Sequence, residues 1–250
     1  MKPVNKKFTY HNGSFVSFRQ IDGESPAVFY LHGTQSSIDS TKAMFVQNYC
    51  QSKGIAFTSL NFRGHGDSSG KYTDGNISMW LTDALNILDN ETSGGQVIVG
   101  SSMGGWIMLL LAMRRPDRVK GLLGLAAAPD FTVRLWNMLP DDMKQQMQKE
   151  GLIHLPSEYT KEGEPFTFDL IQDGYNNLIL NHPIPIKAKT ILMQGDDDIC
   201  VPFETAQEIK KQIGGDNVRV EKIIGGKHNL STDEQLHKIA EFIDELRADS

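Results

Sequence analysis

The pattern of hydrophobic positions divides the chain into a short opening hairpin and a long alternating part. Residues 8–10 and 14–18 flank His11-Asn12-Gly13, and Asn-Gly suits the positive φ angles of a tight turn. After residue 28, short apolar runs alternate with longer stretches of helical spacing. Strands are predicted at 28–31, 55–62, 96–99, 121–127, 190–193 and 218–224, and helices at 41–53, 77–88, 103–113, 203–213 and 232–246.

This order of elements predicts an α/β fold. Strands that are nearly continuous apolar runs, separated by helices, are typical of a mostly parallel sheet covered on both faces. The opening hairpin would add an antiparallel edge. A chain of 250 residues suits a single domain, 1–250, that needs no disulfide or metal to fold. The predicted fold class is therefore a doubly wound, mostly parallel α/β domain.

One connection is much longer than the others. Residues 129–185 separate two strands that should be neighbours, and a connection of that length is usually a lid or a binding insert. We therefore predict a lid at 129–185 within the single domain. Its apolar side chains have spacings that a helix could place on one side. They could attach the lid to the body or line a pocket for an acyl chain, and the sequence favours neither. They are Phe131, Leu135, Trp136, Met138, Leu139, Met143 and Met147.

Charge and cysteine content remove several classes of function. The formal net charge of −6 argues against a nucleic-acid surface, which needs a concentrated excess of lysine and arginine. Two cysteines, Cys50 and Cys200, exclude a disulfide-rich scaffold and favour a reducing compartment. The opening residues are not apolar enough for a secretory signal, and the apolar stretch 106–113 is too short to span a bilayer. We expect a cytoplasmic protein without a membrane span.

A serine motif follows the third predicted parallel strand. Gly100-Ser101-Ser102-Met103-Gly104 matches G-x-S-x-G and lies between strand 96–99 and helix 103–113. Glycines bracket such a turn because larger side chains would collide there. The arrangement would present the Ser102 hydroxyl at a helix N-terminus and leave the Met103 amide free to stabilise an oxyanion.

The motif alone is a weak signal, because this composition produces a chance match in roughly one such chain in seven. Gly66-Asp67-Ser68-Ser69-Gly70 also fits the pattern. That stretch follows no predicted strand and leads into residues that cannot start a packed helix. The context therefore selects Ser102 over Ser68.

A serine hydroxyl needs a base to remove its proton and an acid to orient that base. Of the seven histidines, His228 is the one in a loop after a late strand, and it is the candidate base. Three aspartates follow strand 190–193, of which Asp198 is the first choice for the acid and Asp197 the second. Together with Asp196 they could also hold a hard cation. No calcium-loop spacing follows them, so we predict neither a metal nor a cofactor.

A second backbone donor for the oxyanion is expected after the first parallel strand, where Leu31-His32-Gly33-Thr34 lies. The candidate oxyanion hole therefore combines the amides of Thr34 and Met103. His32 is interpreted as a structural residue that hydrogen-bonds within its own loop.

These residues, in this order, resemble the α/β-hydrolase superfamily over nearly the whole chain. Residues 61–68 look like the family's loop after the second parallel strand, with Asn61 where an aspartate is common. Gln194 stands where a histidine is frequent. Residues 99–106, 155–159, 182–186 and 201–202 look like segments of the mitochondrial α/β-hydrolase-domain protein ten family of acyl-glucuronide esterases and palmitoyl-protein thioesterases. That resemblance implies Ser102, Asp198 and His228 as the triad, and a compact lid.

We therefore expect a serine hydrolase that cleaves carboxylic esters or thioesters through an acyl-enzyme on Ser102. Its partner would be a small-molecule acyl ester or thioester, or an acylated protein. Two alternatives stay open: a peptidase or lyase on the same fold, and a catalytically silent hydrolase fold that binds a ligand or a protein. Silent scaffolds usually lose a member of the triad, and here all three are present.

Overall fold

A computed structural model of the protein describes residues 2–156 and 163–248. Strands in these ranges form one large sheet and a separate hairpin. In chain order they are β1 (Val4–Thr9), β2 (Phe15–Ile21), β3 (Glu24–Leu31), β4 (Ile55–Leu60), β5 (Gln96–Ser101), β6 (Val119–Leu125), β7 (Leu152–Leu155), β8 (Glu164–Thr167), β9 (Lys189–Gly195) and β10 (Val218–Ile223).

The large sheet has the order β1-β2-β4-β3-β5-β6-β9-β10. All neighbours from β4 to β10 are parallel, whereas β2 is antiparallel to both β1 and β4. The predicted parallel sheet with an antiparallel hairpin at its edge is confirmed. The chain runs from β3 outward to β4 and then returns to β5 on the other side of β3. In open α/β sheets, ligands bind at the carboxyl ends of two such strands, where the chain changes the direction in which it adds strands.

Helices cover both faces of this sheet, as predicted. In chain order the α-helices are α1 (Thr41–Lys53), α2 (Ile77–Glu91), α3 (Met103–Arg114), α4 (Phe131–Met138), α5 (Asp141–Glu150), α6 (Phe168–Asn176), α7 (Phe203–Ile213) and α8 (Asp233–Ala248). One face of the sheet carries α1 and α8 and the other carries α2, α3 and α7, each face with its own buried apolar cluster.

Local chemistry explains where several elements begin and end. Helix α1 ends at Gly54, whose φ of 71° is the left-handed conformation that glycine adopts without steric cost. Asn76 caps α2 by accepting a hydrogen bond from the Met79 amide at 2.9 Å. Three predicted strands, 55–62, 121–127 and 218–224, were too long at their carboxyl ends, the last of them by one residue. Strand β6 ends at Leu125 because Ala126 has φ 47°, and β4 ends before Asn61, whose side chain accepts a hydrogen bond from the Ile38 amide.

The insert, residues 129–185, contains α4, α5, the β7–β8 hairpin and α6. Residues 157–162 of the insert, and with them Ser157 to Tyr159 of the family-like segment, lie outside the described residues. Its apolar side chains do not form one continuous stripe, because the helix breaks between α4 and α5 at Leu139-Pro140. The assignment of the insert as a lid stays a prediction.

Most of the insert's apolar side chains pack against one another, which neither of the two alternatives describes. Leu139 and Met147 are buried in a small core of the insert itself, with Leu135, Trp136 and Met143 packed against it. Phe131 instead packs edge-on against Trp106 of the main body, with ring centroids 5.7 Å apart. Met138 is 75% exposed.

Candidate active site

The serine turn, residues 100–105, connects β5 to α3 in the middle of the sheet. Ser102 has φ 53° and ψ −120°, a conformation that non-glycine residues keep only where the surroundings enforce it. Its amide donates to the Leu125 carbonyl at 2.9 Å, and its carbonyl accepts from the amides of Gly105 at 2.8 Å and Ala128 at 3.1 Å. Main-chain contacts therefore fix the direction of the Ser102 side chain.

The glycines of the turn are required by close backbone approach. A Cβ atom on Gly104 would lie 2.2 Å from the Leu31 carbonyl oxygen, and one on Gly100 would lie 2.5 Å from the Gly104 carbonyl oxygen. Helix α3 consequently starts against the end of β3. This is the steric reason that the motif needs glycine on both sides of the serine.

Two further loops face the serine turn: the acid loop, residues 195–202 after β9, and the histidine loop, residues 225–230 after β10. His228 Nε2 lies 3.0 Å from Ser102 Oγ, and His228 Nδ1 lies 2.9 Å from Asp198 Oδ2. The Asp198 side chain is fully buried, whereas that of His228 is 28% exposed. The structure thus brings together the three residues that the sequence singled out, in the geometry that lets a base take a hydroxyl proton.

Asp198 is held as an anion by its neighbours. Oδ1 accepts hydrogen bonds from the amides of Cys200 and Val201, both at 2.9 Å, and Oδ2 accepts one from Gln194 Nε2 at 2.9 Å. Burial opposes ionisation, but the bonds from His228 and from the two amides outweigh it, so the pKa of Asp198 lies below its usual range. A carboxylate in this state can orient an imidazole ring and stabilise its protonated form.

The other two aspartates face elsewhere. Asp196 accepts a hydrogen bond from the Gly225 amide at 2.7 Å and pairs with Lys222 at 3.2 Å. Asp197 is exposed, and its amide donates to the Gly226 carbonyl at 3.1 Å. Within the described ranges, no group of three or more histidine, cysteine, aspartate or glutamate side chains is arranged to hold a metal ion. The local geometry agrees with Asp198, rather than Asp197, as the first choice for the acid.

The predicted oxyanion donors flank Ser102. A Cβ atom on Gly33 would lie 3.1 Å from the Ser102 Cβ atom, so the segment that leads into Thr34 runs directly beside the serine. Met103 is the first residue of α3, where an amide has no acceptor within the helix. The use of these two amides in catalysis stays a prediction.

Two motif residues have structural roles. His32 is buried, its Nδ1 contacts the Gly33 carbonyl at 2.7 Å, and its Nε2 accepts from the Phe62 amide at 3.3 Å. Burial, assisted by the nearby His65, lowers the pKa of His32 to about 3, so its ring is neutral. Ser68 is buried and donates to the Asn61 carbonyl at 2.6 Å. The interpretation of His32 as structural is confirmed, and Ser68 serves to hold its loop.

Sequence reasoning missed two cations beside the site. Lys42 Nζ of α1 donates to the Asn229 carbonyl in the histidine loop. Arg134 Nη2 of α4 donates to the Cys200 carbonyl in the acid loop. Neither contact has a sequence signal, because the partners are far apart along the chain and the acceptors are main-chain atoms.

A cavity of about 560 Å³ adjoins the site, between α4, the segment 178–181 and the start of α7. Ala128, Phe131, Leu180 and Val201 are among its lining residues. Ala128 is hydrogen-bonded to the Ser102 carbonyl, and Val201 is hydrogen-bonded to Asp198. The largely apolar cavity therefore includes one residue of the acid loop and one residue bonded to the serine turn, while Ser102, Asp198 and His228 themselves do not line it.

Comparison with known proteins identifies the class. A family model for the alpha/beta hydrolase fold matches residues 26–156. The chain belongs to this family and is a hydrolase. The mouse protein "Palmitoyl-protein thioesterase ABHD10, mitochondrial" is 32% identical over 234 residues, which cover 92% of this chain and 78% of the relative.

Solved structures give the same relationship. The alpha/beta hydrolase domain-containing protein 10 from mouse superposes with a TM-score of 0.91 at 30% identity, covering 97% of this chain and 98% of the other. The crystal structure of a protein named "Putative hydrolase" from Agrobacterium vitis S4 superposes with a TM-score of 0.95 at 28% identity, over 99% of this chain and 100% of the other.

No helix in the described part of the chain is long and apolar enough to cross a membrane. The cytoplasmic location stays a prediction.

Proposed function

We propose that this hydrolase cleaves carboxylic esters or thioesters through an acyl-enzyme on Ser102, with His228 as the base and Asp198 as the acid. The observation that carries the proposal is the unbroken chain of contacts from Ser102 Oγ through the His228 ring to Asp198, at 3.0 and 2.9 Å. The substrate would be a small acyl ester or thioester, or an acylated protein.

The first half of the reaction transfers the acyl group to the enzyme. His228 Nε2 takes the Ser102 proton as Oγ forms a bond to the acyl carbonyl carbon. The amides of Thr34 and Met103 donate to the resulting oxyanion, and loss of one such donor typically costs about 10²–10³ in turnover. The carbon–oxygen or carbon–sulfur bond then breaks, and the alcohol or thiol leaves with the proton from His228.

The second half releases the acid. His228 takes a proton from water while the water oxygen attacks the acyl-enzyme carbonyl. The bond to Ser102 Oγ breaks, and His228 returns the proton to the serine. Asp198 keeps its charge throughout and stabilises the imidazolium that forms twice in the cycle.

Two observations favour ester or thioester chemistry. The relative ABHD10 is named as a palmitoyl-protein thioesterase. The cavity beside the serine turn is largely apolar and has a volume of about 560 Å³, which suits an acyl group.

The test is covalent labelling combined with turnover. A fluorophosphonate probe should label the native protein and the Ser68→Ala variant, which alters the other G-x-S-x-G serine, but should not label Ser102→Ala. Native enzyme should hydrolyse p-nitrophenyl butyrate, whereas Ser102→Ala should lose about 10⁴-fold or more in kcat. Undiminished labelling of Ser102→Ala would refute the serine assignment. Turnover of the matched butyryl p-nitroanilide without turnover of the ester would favour a peptidase.

A further inference from the structure

Lys42 occupies an unusual position for a lysine. It is the second residue of α1, it is partly buried, and its ammonium donates to the main-chain carbonyl of Asn229, 187 residues further along the chain. Among the described residues no carboxylate lies within ion-pair distance of it, whereas five other lysines have such a partner. Its ammonium is therefore hydrogen-bonded to a peptide group rather than paired with a carboxylate.

That peptide group directly follows the proposed base. The ring of His228 is held by its contacts with Asp198 and Ser102. Main-chain hydrogen bonds hold the two ends of the histidine loop, where the Gly226 amide donates to the Ile223 carbonyl at 3.0 Å and the Leu230 amide donates to the Lys227 carbonyl at 3.3 Å. His228 and Asn229 lie between these supports. The contact from Lys42 acts on the middle of the loop, next to the residue whose ring must stay 3.0 Å from Ser102 Oγ.

Lys42 also lies close in sequence to the other half of the site. The segment of residues 32–40 connects β3 to α1, and its Gly33 backbone runs beside Ser102. One side chain thus connects the helix that follows the Thr34 segment to the loop that carries His228. We propose that Lys42 is a positioning residue. Its ammonium holds the histidine loop against α1 and so keeps the His228 ring at hydrogen-bond distance from Ser102. This inference rests on the proposed function.

The state of the ammonium should then control activity at alkaline pH. Burial lowers the pKa of Lys42 to about 8, and the carboxylate of Asp198 limits the decrease. Below that pH Lys42 is an ammonium, and its hydrogen bond to the Asn229 carbonyl is charge-assisted. Above that pH Lys42 is a neutral amine and donates more weakly, because charge-assisted hydrogen bonds are about twice as strong as neutral ones. Charged and titratable groups near α1 are Asp198, His228, Asp39 paired with Arg19, and on α8 His237, Asp244 and Arg247.

Three variants test the proposal with p-nitrophenyl butyrate between pH 6 and 10. Lys42→Met should lower kcat about 10-fold at pH 7 with little change in KM, because a small displacement of a reacting group is costly in rate. The native enzyme should lose activity several-fold above pH 8, and Lys42→Arg should keep its activity there because a guanidinium stays charged. The control Lys53→Met, in the exposed last turn of the same helix, should match the native enzyme.

The outcomes separate positioning from stability. A Lys42→Met variant with native kcat and a native pH profile would overturn the proposal. It would equally fail if Lys42→Arg lost activity above pH 8 as the native enzyme does, or if it were as slow as Lys42→Met at every pH. Fluorophosphonate labelling at pH 7 should be slower in Lys42→Met but still at Ser102. If the native protein were not labelled at all, the proposed function itself would be wrong.

Discussion

The serine turn and the two loops that face it are held in different ways. Ser102 is fixed by three main-chain hydrogen bonds and by a backbone approach that leaves no room for a Cβ atom at Gly104. The acid and histidine loops also have main-chain hydrogen bonds, such as that from the Asp197 amide to the Gly226 carbonyl, but side chains hold them as well. Gln194 donates to Asp198 itself, while Lys42 and Arg134 donate to carbonyls in the two loops.

The difference has consequences for how each part tolerates change. Main-chain contacts survive most substitutions, so the serine turn should be insensitive to its surroundings until an added atom forces the backbone apart. Contacts made by side chains can be removed one at a time, and some of them change with pH. We therefore expect all-or-none effects at the turn and graded effects at the loops. The carboxylate of Asp198 should be the exception, because it contacts the proposed base, His228, directly.

Among variants that keep Ser102, the largest effect is expected for Asp198→Asn. The amide cannot balance the positive charge on the His228 ring and can hold the ring in the wrong tautomer, so kcat should fall about 10⁴-fold. Steady-state kinetics at pH 7, with a thermal melt to show that the variant is folded, is the measurement.

The neighbouring aspartate supplies a matched control. Asp197→Asn removes the same charge one residue away, from an exposed side chain, and should leave kcat within about 2-fold of native. If the two variants lost kcat equally, the assignment of Asp198 as the acid would be wrong. The proposed difference between Asp198 and the rest of its loop would then be wrong as well.

An added methyl group in the serine turn should have the next largest effect. In Gly104→Ala the new Cβ would lie 2.2 Å from the Leu31 carbonyl and 2.6 Å from the His32 carbonyl, both of them main-chain atoms. The start of α3 must move, which should cost about 3 kcal/mol in the free energy of unfolding and about 10² in kcat. Urea denaturation and kinetics measure the two quantities.

Gly54→Ala separates steric collision from backbone strain. Gly54 has φ 71° but nothing within 4 Å of an added Cβ, so this variant should lose only about 1 kcal/mol and keep its native kcat. A Gly104→Ala enzyme with native activity would contradict the rigid, main-chain support that we assign to the serine turn.

The same contrast explains how much the sequence could predict. Ser102 and its glycines are local: strand, tight turn and helix are adjacent in the chain, so periodicity and residue size identify them. Asp198 and His228 could be predicted from the order of strands, because the carboxyl ends of β9 and β10 meet at one edge. The contacts of Lys42 and Arg134 could not be predicted, because every residue has a main-chain carbonyl and the sequence does not show which of them a distant side chain contacts. The break between α4 and α5 was also missed, although Pro140 marks it.

The smallest effect is expected for Arg134, which connects the insert to the acid loop. The arginine is half-buried in α4, and burial lowers its pKa, although Asp198 and Cys200 favour its charged form. Arg134→Met keeps the aliphatic contacts and removes the bond to the Cys200 carbonyl. Because the Cys200 amide donates to Asp198 at 2.9 Å, a looser loop should weaken the support of the carboxylate without removing it.

We expect Arg134→Met to lower kcat/KM for p-nitrophenyl butyrate about 3- to 10-fold, the range for loss of one hydrogen bond that supports a group indirectly. Arg114→Met, at the exposed end of α3, is the control and should behave as native. The double variant with Lys42→Met tests whether the two loops are held separately, because independent tethers would multiply their effects. A loss in Arg134→Met as large as that in Asp198→Asn would mean that the insert assembles the acid loop, and that the loops, like the serine turn, respond in an all-or-none way.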